Sequence, residues 1–323
     1  MKKSLILGAL LFTAPAWAGT TYPLTIETYN YEGQKVSQTF EKAPERIFAA
    51  FQDNIETLLA LGVGDKIVGA YGFDDPKPME GLEEAFKTIP YQQDYPGKEA
   101  VMALQPDFIT GWSSLFGEKR LGDISFWNER GTKTYMARNS GMRKGESQTV
   151  EDELLDVETL GAIVDRPEKA AELTGAIRQE MDRIDTHLKG KTRRTATVIE
   201  DEGSQFRVYG HETLGGNVAE RGGALLKPGA EGDPKKVGVE DLLLADPEAI
   251  FLVWYEGYTL GGKEVTADEL AQGFMSDPKY ANLQAVKEGR VWPLNLSYVY
   301  CSGLRSGLGV QVVASHLYPE LYQ

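Results

Sequence analysis

The chain has 323 residues and carries 48 acidic against 34 basic side chains, a formal charge of −14. That excess argues against nucleic acid and against anionic membrane surfaces as partners. Cys301 is the only cysteine, so no intramolecular disulfide can form, and the length suits two hydrophobic cores rather than one.

The first 18 residues read as a secretory signal. Lys2 and Lys3 supply the charged start, Leu5 to Phe12 the short apolar core, and Ala16-Trp17-Ala18 the small-residue cleavage pattern. The apolar run is too short to span a bilayer, and no later run qualifies. No cysteine follows the signal, so a lipid anchor is not expected. Without residues 1–18 the chain loses two lysines, leaving 32 basic against 48 acidic residues and a charge of −16. The expectation is a soluble, exported, monomeric protein of a bacterial periplasm, with no membrane insertion of the mature chain.

Tyr22 to Phe40 alternates loosely around Glu32-Gly33, a hairpin-like start. Ile47 to Phe51 is a short apolar strand, followed by Asp53-Asn54 as a helix cap, a helix from Ile55 to Leu61 and a stop at Gly62. Lys66 to Tyr71 is a second strand, and Asp74 to Pro78 a loop. Glu99 to Gln105 is a helix feeding the strand Phe108 to Trp112. Asp123 to Arg130 is a helix, and Lys133 to Ala137 a strand. Strands alternating with helices predict a parallel sheet covered on both faces. Thr149-Val150-Glu151-Asp152 caps a helix running towards Gly161. Asp165-Arg166-Pro167 opens a longer one that ends at Leu188 before Gly190. In it Ala171, Thr174, Ile177, Met181, Ile184 and Leu188 recur at three- and four-residue steps, an apolar stripe.

The second half repeats the scheme. Thr195 to Ile199 and Phe206 to Tyr209 are strands, and Thr213 to Glu220 is a helix. Arg290 to Leu294 is a last strand, and Gly307 to Tyr318 a terminal helix. One segment occurs twice. Glu99 to Trp112 and Glu240 to Trp254 each run from a Glu through a short apolar helix to a Pro seven residues on, then along an apolar strand to a Trp. The predicted fold is α/β: two Rossmann-like lobes with mostly parallel sheets, residues 19–164 and 191–323, joined by one long helix over 165–190. Such a link allows little hinge motion. Ligands in open α/β sheets lie beyond the carboxyl ends of strands, so a cleft between the lobes is the expected site.

Trp112 and Trp254 end equivalent strands and are cleft candidates, core packing being the alternative. Tyr255 follows Trp254 directly, so only one of the two faces a ligand. Arg138, Arg207 and Arg305 sit at predicted strand ends, where guanidinium groups suit anionic oxygens, although any of them can be a solvated surface residue. Tyr209, Tyr298 and Tyr300 accompany them. His211 is the one candidate for direct metal contact, but a lone His at a helix start reads more simply as a polar cap. Glu99 and Glu240 complement the dipole of the helices they open.

These features together resemble the periplasmic substrate-binding proteins of ABC importers, in the group that handles ferric siderophores, haem and cobalamin. The resemblance rests on Pro44-Glu45-Arg46-Ile47 with Asn54 to Gly62, on Gly64 to Gly69, on both repeat copies, and on Ala285 to Val291. It implies two lobes joined by a long helix, and no enzymatic activity. It also implies a bound metal chelate rather than a covalent cofactor; the Tyr, Trp and Arg at the predicted strand ends favour a ferric siderophore as the leading ligand, with haem or cobalamin the alternatives. It further implies docking to a permease dimer through one acid per lobe, the places held here by Glu99 and Glu240. No G-x-S-x-G elbow, H-E-x-x-H or phosphate-binding loop occurs, which leaves a periplasmic hydrolase on an α/β fold as a distant alternative.

Overall fold

The computed structural model describes residues 19–75, 77–140, 146–227 and 236–323. The expected signal, residues 1–18, lies outside them. A hairpin comes first, β1 (Leu24–Tyr29) antiparallel to β2 (Lys35–Phe40), with Leu24 opposite Phe40. Its inner face carries buried Thr28 and Gln38. The Met136 N–H donates to Thr28 Oγ1 at 3.0 Å, and Gln38 Nε2 donates to Thr134 Oγ1 at 3.1 Å. The hairpin is thereby fixed to the edge of the first sheet.

That sheet takes β3 (Ile47–Ala50), α1 (Gln52–Ala60), β4 (Ile67–Tyr71), α2 (Glu83–Phe86) and β5 (Tyr91–Gln92) in chain order. It continues with α3 (Lys98–Ala103), β6 (Phe108–Gly111), α4 (Ile124–Asn128) and β7 (Lys133–Met136). The strands lie in the order β5-β4-β3-β6-β7 and every pairing is parallel. All four residues of β3 are buried, as a central strand covered on both faces requires.

The β3–α1 turn departs from expectation. Phe51, not Asp53-Asn54, caps α1, and it does so at φ 71° and ψ 151°, a region that costs a non-glycine residue about 1–3 kcal/mol. The consequence is that Gln52, Asp53 and Asn54 enter the helix and turn inward.

The expected long helix is α6 (Pro167–Leu188), and α5 (Val150–Ile163) packs antiparallel to it, so that the two form the spine between the sheets. The Thr149 hydroxyl caps α5 by accepting from the Asp152 N–H at 3.1 Å, as the sequence predicts. Gly161 does not stop α5 but lies inside it. A Cβ there would meet the Ala170 Cβ at 2.4 Å, so glycine is what lets the two helices approach. Each helix serves both lobes. Val157, Leu160, Ile163 and Ala170 belong to the core under the first sheet, whereas Val150, Leu154, Met181, Ile184 and Leu188 belong to the core under the second.

The second sheet begins with β8 (Thr195–Asp201), β9 (Phe206–Val208), α7 (Leu214–Arg221), β10 (Leu225–Leu226) and β11 (Lys236–Val237). Then come α8 (Val239–Ala245), β12 (Ala249–Trp254), the small hairpin β13 (Thr259–Leu260) and β14 (Lys263–Glu264), and α9 (Ala267–Ser276). Last are α10 (Gln284–Lys287), β15 (Val291–Asn295) and α11 (Arg305–Leu317). The order is β11-β9-β8-β12-β15, with β10 beside β8. Strands β8, β10, β12 and β15 run parallel, while β9 turns back antiparallel on β8 and pairs in turn with β11. The architecture is therefore two α/β lobes with mostly parallel sheets, and among the described residues no helix is long and apolar enough to cross a membrane.

Candidate functional site

A cleft of about 480 Å³, including its open mouth, lies where the two lobes meet. Most of its lining sits at or just past the carboxyl end of a strand, and Arg305 joins it from the start of α11. Gln52 and Asp53 follow β3, Asp74 and Asp75 follow β4, and Trp112 follows β6. Tyr255 and Glu256 follow β12, Asn295 ends β15, and Leu296, Ser297 and Tyr300 to Ser302 follow it. Both sheets thus point their carboxyl ends at one space, the geometry in which open α/β sheets hold ligands.

The aromatic wall is built across the lobes. Trp112 stacks on Phe51 at 4.2 Å between ring centres and 11° between planes, and the ring of Tyr300 meets its edge at 5.6 Å. The Trp112 indole N–H donates to Asp53 Oδ1 at 2.8 Å. The strained Phe51 backbone therefore places both the ring that Trp112 leans on and the carboxylate it bonds.

Arg305 opens α11 and crosses to the first lobe. Its Nε and Nη2 donate to the two oxygens of Glu56 at 2.7 and 2.8 Å. Its Nη1 donates to Asp75 Oδ2 at 2.9 Å and to Ser297 Oγ at 3.2 Å, and Nη2 also reaches the Lys77 carbonyl at 2.8 Å. All five donors of the guanidinium are thus used. The side chains of Arg305 and Glu56 are 7% and 2% exposed, so this is a desolvated ion pair that ties the lobes together. Asp75 is held further by Asn295 Nδ2 at 3.1 Å.

Beneath the cleft lies a cluster of buried acids. Burial pushes the Asp53 carboxyl up to about 8, against the indole bond that holds it down. Burial also raises Glu153, with Asp156 and Asp53 adding to the shift, although Glu153 accepts from Asn139 Nδ2 at 2.7 Å and from the Gly303 N–H. Gly303 has φ 51°, and a Cβ on it would stand 3.2 Å from that of Asp53, so only glycine lets this loop close on α1. Cys301 is buried beside these acids as a free thiol and donates to the Asn139 carbonyl at 3.2 Å.

Of the residues singled out from the sequence, Trp112, Tyr255, Tyr300 and Arg305 come together in the cleft lining. The others lie elsewhere. Trp254 ends β12 outside the cleft lining, and its indole donates to the Val265 carbonyl at 2.8 Å. The repeat keeps its order but not its spacing, since Trp follows Pro by six residues in the first copy and seven in the second, and Trp112 lies one residue past its strand whereas Trp254 lies within one. Arg138 pairs with Asp156 at 2.6 Å. Arg207 is half exposed on β9 and pairs with Glu202 at 2.9 Å. The Tyr209 hydroxyl donates to Glu200 at 3.0 Å, and His211 sits against Glu220 at 2.5 Å on the surface. Tyr298 packs against the backbone of Gly309. Glu99 and Glu240 are exposed in the first turns of α3 and α8, with no ion pair among the described residues. Asp53, Asp75 and Glu56 escaped the sequence reading. The one signal was the acidic start of α1, which reads as an ordinary cap until the Phe51 turn is known.

A two-lobed α/β fold with an aromatic cleft at the strand ends of both sheets defines a ligand-binding protein. A family model for periplasmic binding proteins matches residues 47–295, and the chain belongs to that family, whose members are substrate-binding transport proteins. The crystal structure of a periplasmic binding protein from Veillonella parvula superposes with a TM-score of 0.84 at 30% identity, covering 93% of each chain. An ABC-type Fe3+-hydroxamate transport system from Saccharomonospora viridis shares the fold, with a TM-score of 0.69 at 23% identity over 92% of this chain and 100% of that one. An uncharacterized ABC transporter substrate-binding lipoprotein of Bacillus subtilis is 23% identical over 314 residues, 94% of this chain and 88% of its own.

Two outcomes test this account of the site. Arg305→Met should destabilise the protein by about 3–5 kcal/mol in urea unfolding, because it strands Glu56 and Asp75 as buried charges; adding Glu56→Gln should recover part of that loss. A loss below 1 kcal/mol would mean the pair is solvated.

Asp53 makes stability depend on pH. Its carboxyl gives up its proton near 3.8 in the unfolded chain and near 8 in the folded protein. Between those values the folded state holds the extra proton, so the contribution is largest at low pH and is lost as pH rises. Asp53→Asn should therefore gain on the wild type from pH 5 to 8, by at most about 1.4 kcal/mol per pH unit. Parallel curves for the two proteins would refute a raised Asp53.

Proposed function

We propose that this protein captures a metal chelate in the cleft between its lobes and presents it to an ABC permease, with a ferric siderophore the leading ligand. The observation that carries this reading is the cleft lined by Trp112, Tyr255 and Tyr300, apolar rings beside polar groups at the ends of both sheets. The printed description of the Saccharomonospora viridis neighbour, a ferric hydroxamate transport system, supports it. Among the described residues no cluster of His, Cys, Asp and Glu is arranged to hold a metal ion, and His211 lies against Glu220 outside the cleft lining. The reading is accordingly one of shape and ring contact with an assembled complex, whose own donors hold the iron. Residues 1–18 would export the chain to the periplasm.

Titration with a ferric trihydroxamate should quench tryptophan fluorescence. Trp112→Phe should remove most of that signal and Trp254→Phe little of it, because only Trp112 lines the cleft. Quenching that survives Trp112→Phe and vanishes in Trp254→Phe would place the ligand elsewhere.

The same reading gives Glu99 and Glu240 the role of docking acids, one per lobe, each exposed and without an ion partner among the described residues. Replacing both with Ala should leave chelate affinity in solution unchanged and sharply reduce uptake in cells. Charge reversal at both should reduce it further, since like charges would then meet the permease arginines. Uptake at the wild-type rate with normal protein abundance would leave these acids only their helix-dipole role.

A further inference from the structure

The charge of the cleft narrows the ligand. The one guanidinium in its lining among the described residues, Arg305, has every donor committed to Glu56, Asp75, Ser297 and Lys77, so none remains for an anionic guest. That cluster holds two carboxylates against one cation. Asp74 and Glu256 also line the cleft, both exposed and neither with a cationic partner among the described residues. They share that lining with the rings of Tyr255 and Tyr300, and carboxylates and aromatic rings both attract cations.

A second, independent observation concerns the floor. Gln52 is 5% exposed. Its Oε1 accepts from the Asp75 N–H at 3.1 Å, which fixes the amide, and its Nε2 has no partner. The Ser302 hydroxyl, on a residue 2% exposed, is likewise unpartnered, and both residues line the cleft. A buried donor left without a partner is costly, and a ligand oxygen placed there would offset that cost.

We infer that the cleft selects a chelate that presents neutral acceptor oxygens to Gln52 and Ser302 and a cationic group to Asp74 and Glu256, and that it disfavours anionic complexes. This inference rests on the chelate reading above and deepens it. It also reverses the charge that the three arginines suggested from sequence, since Arg138, Arg207 and Arg305 are each paired with carboxylates.

The test compares two probes with the same iron coordination that differ by one charge. These are ferrioxamine B, which ends in a primary ammonium, and its N-acetyl derivative, which is neutral. Isothermal titration at low salt should show the ammonium form binding at least tenfold more tightly, with the preference shrinking as salt rises. Asp74→Asn with Glu256→Gln, both at exposed positions, should bring the two probes within about twofold of each other. Ser302→Ala should weaken both equally. Equal or tighter binding of the acetylated probe, or a preference that survives the double substitution, would overturn the inference. Putrescine, a metal-free dication, separates the remaining outcomes. Binding of putrescine with neither chelate bound would sink the chelate reading and uphold cation selectivity. Binding of none of the three would overturn both.

Discussion

The desolvated ion cluster of Arg305, Glu56 and Asp75 is the constraint on which the rest of the site depends. Each partner comes from a different place: α11, the inner face of α1, and the loop after β4. A guanidinium buried to this degree is tolerable only when its donors are all used and its charge is compensated, and here both conditions hold. The cluster has two effects at once. It fixes the position of the second lobe's last helix against the first lobe's first helix. It also removes Arg305, the one guanidinium of the cleft lining among the described residues, from the service of a ligand, leaving the opening to Asp74, Glu256 and the aromatic rings.

The spine of α5 and α6 makes that arrangement possible. Because each helix contributes apolar side chains to both cores, moving one lobe against the other would disturb packing along both helices. Close packing resists such partial displacement. The contact depends on Gly161, just as the closure of the Cys301–Gly303 loop over α1 depends on Gly303. The acids Asp53, Glu153 and Asp156 are trapped between these rigid parts. Burial disfavours their charged forms, which couples the floor of the cleft to pH. Phe51 shows the same economy of position: its strained backbone turns Asp53 inward, and its ring backs Trp112.

Most of the framework was readable in the chain. The alternation of short apolar strands with capped helices, the duplicated Glu-to-Trp segment and the long apolar stripe from Ala171 to Leu188 specify two α/β lobes and a helical link, although Ala171 itself is exposed and Ala170 takes its place in the core. These signals survive because they are local: strand period, helix period, caps and glycine stops act within a few residues of one another. Family membership follows from the order and spacing of such pieces. The cleft's position at the strand ends was equally legible, since it follows from parallel topology.

The identities and charges of the groups in the cleft were decided only by tertiary structure. Trp112 and Trp254 look alike in sequence, yet the end of β6 and the body of β12 turn their side chains to different surroundings. Arg305 and Glu56 stand 249 positions apart, and no local pattern marks them as a pair. Arg138 and Arg207 likewise meet their carboxylates only through folding. Propensity and periodicity are set by near neighbours along the chain. Charge compensation is set by whatever the packing of two lobes brings within hydrogen-bonding distance, and that packing is a property of the whole molecule.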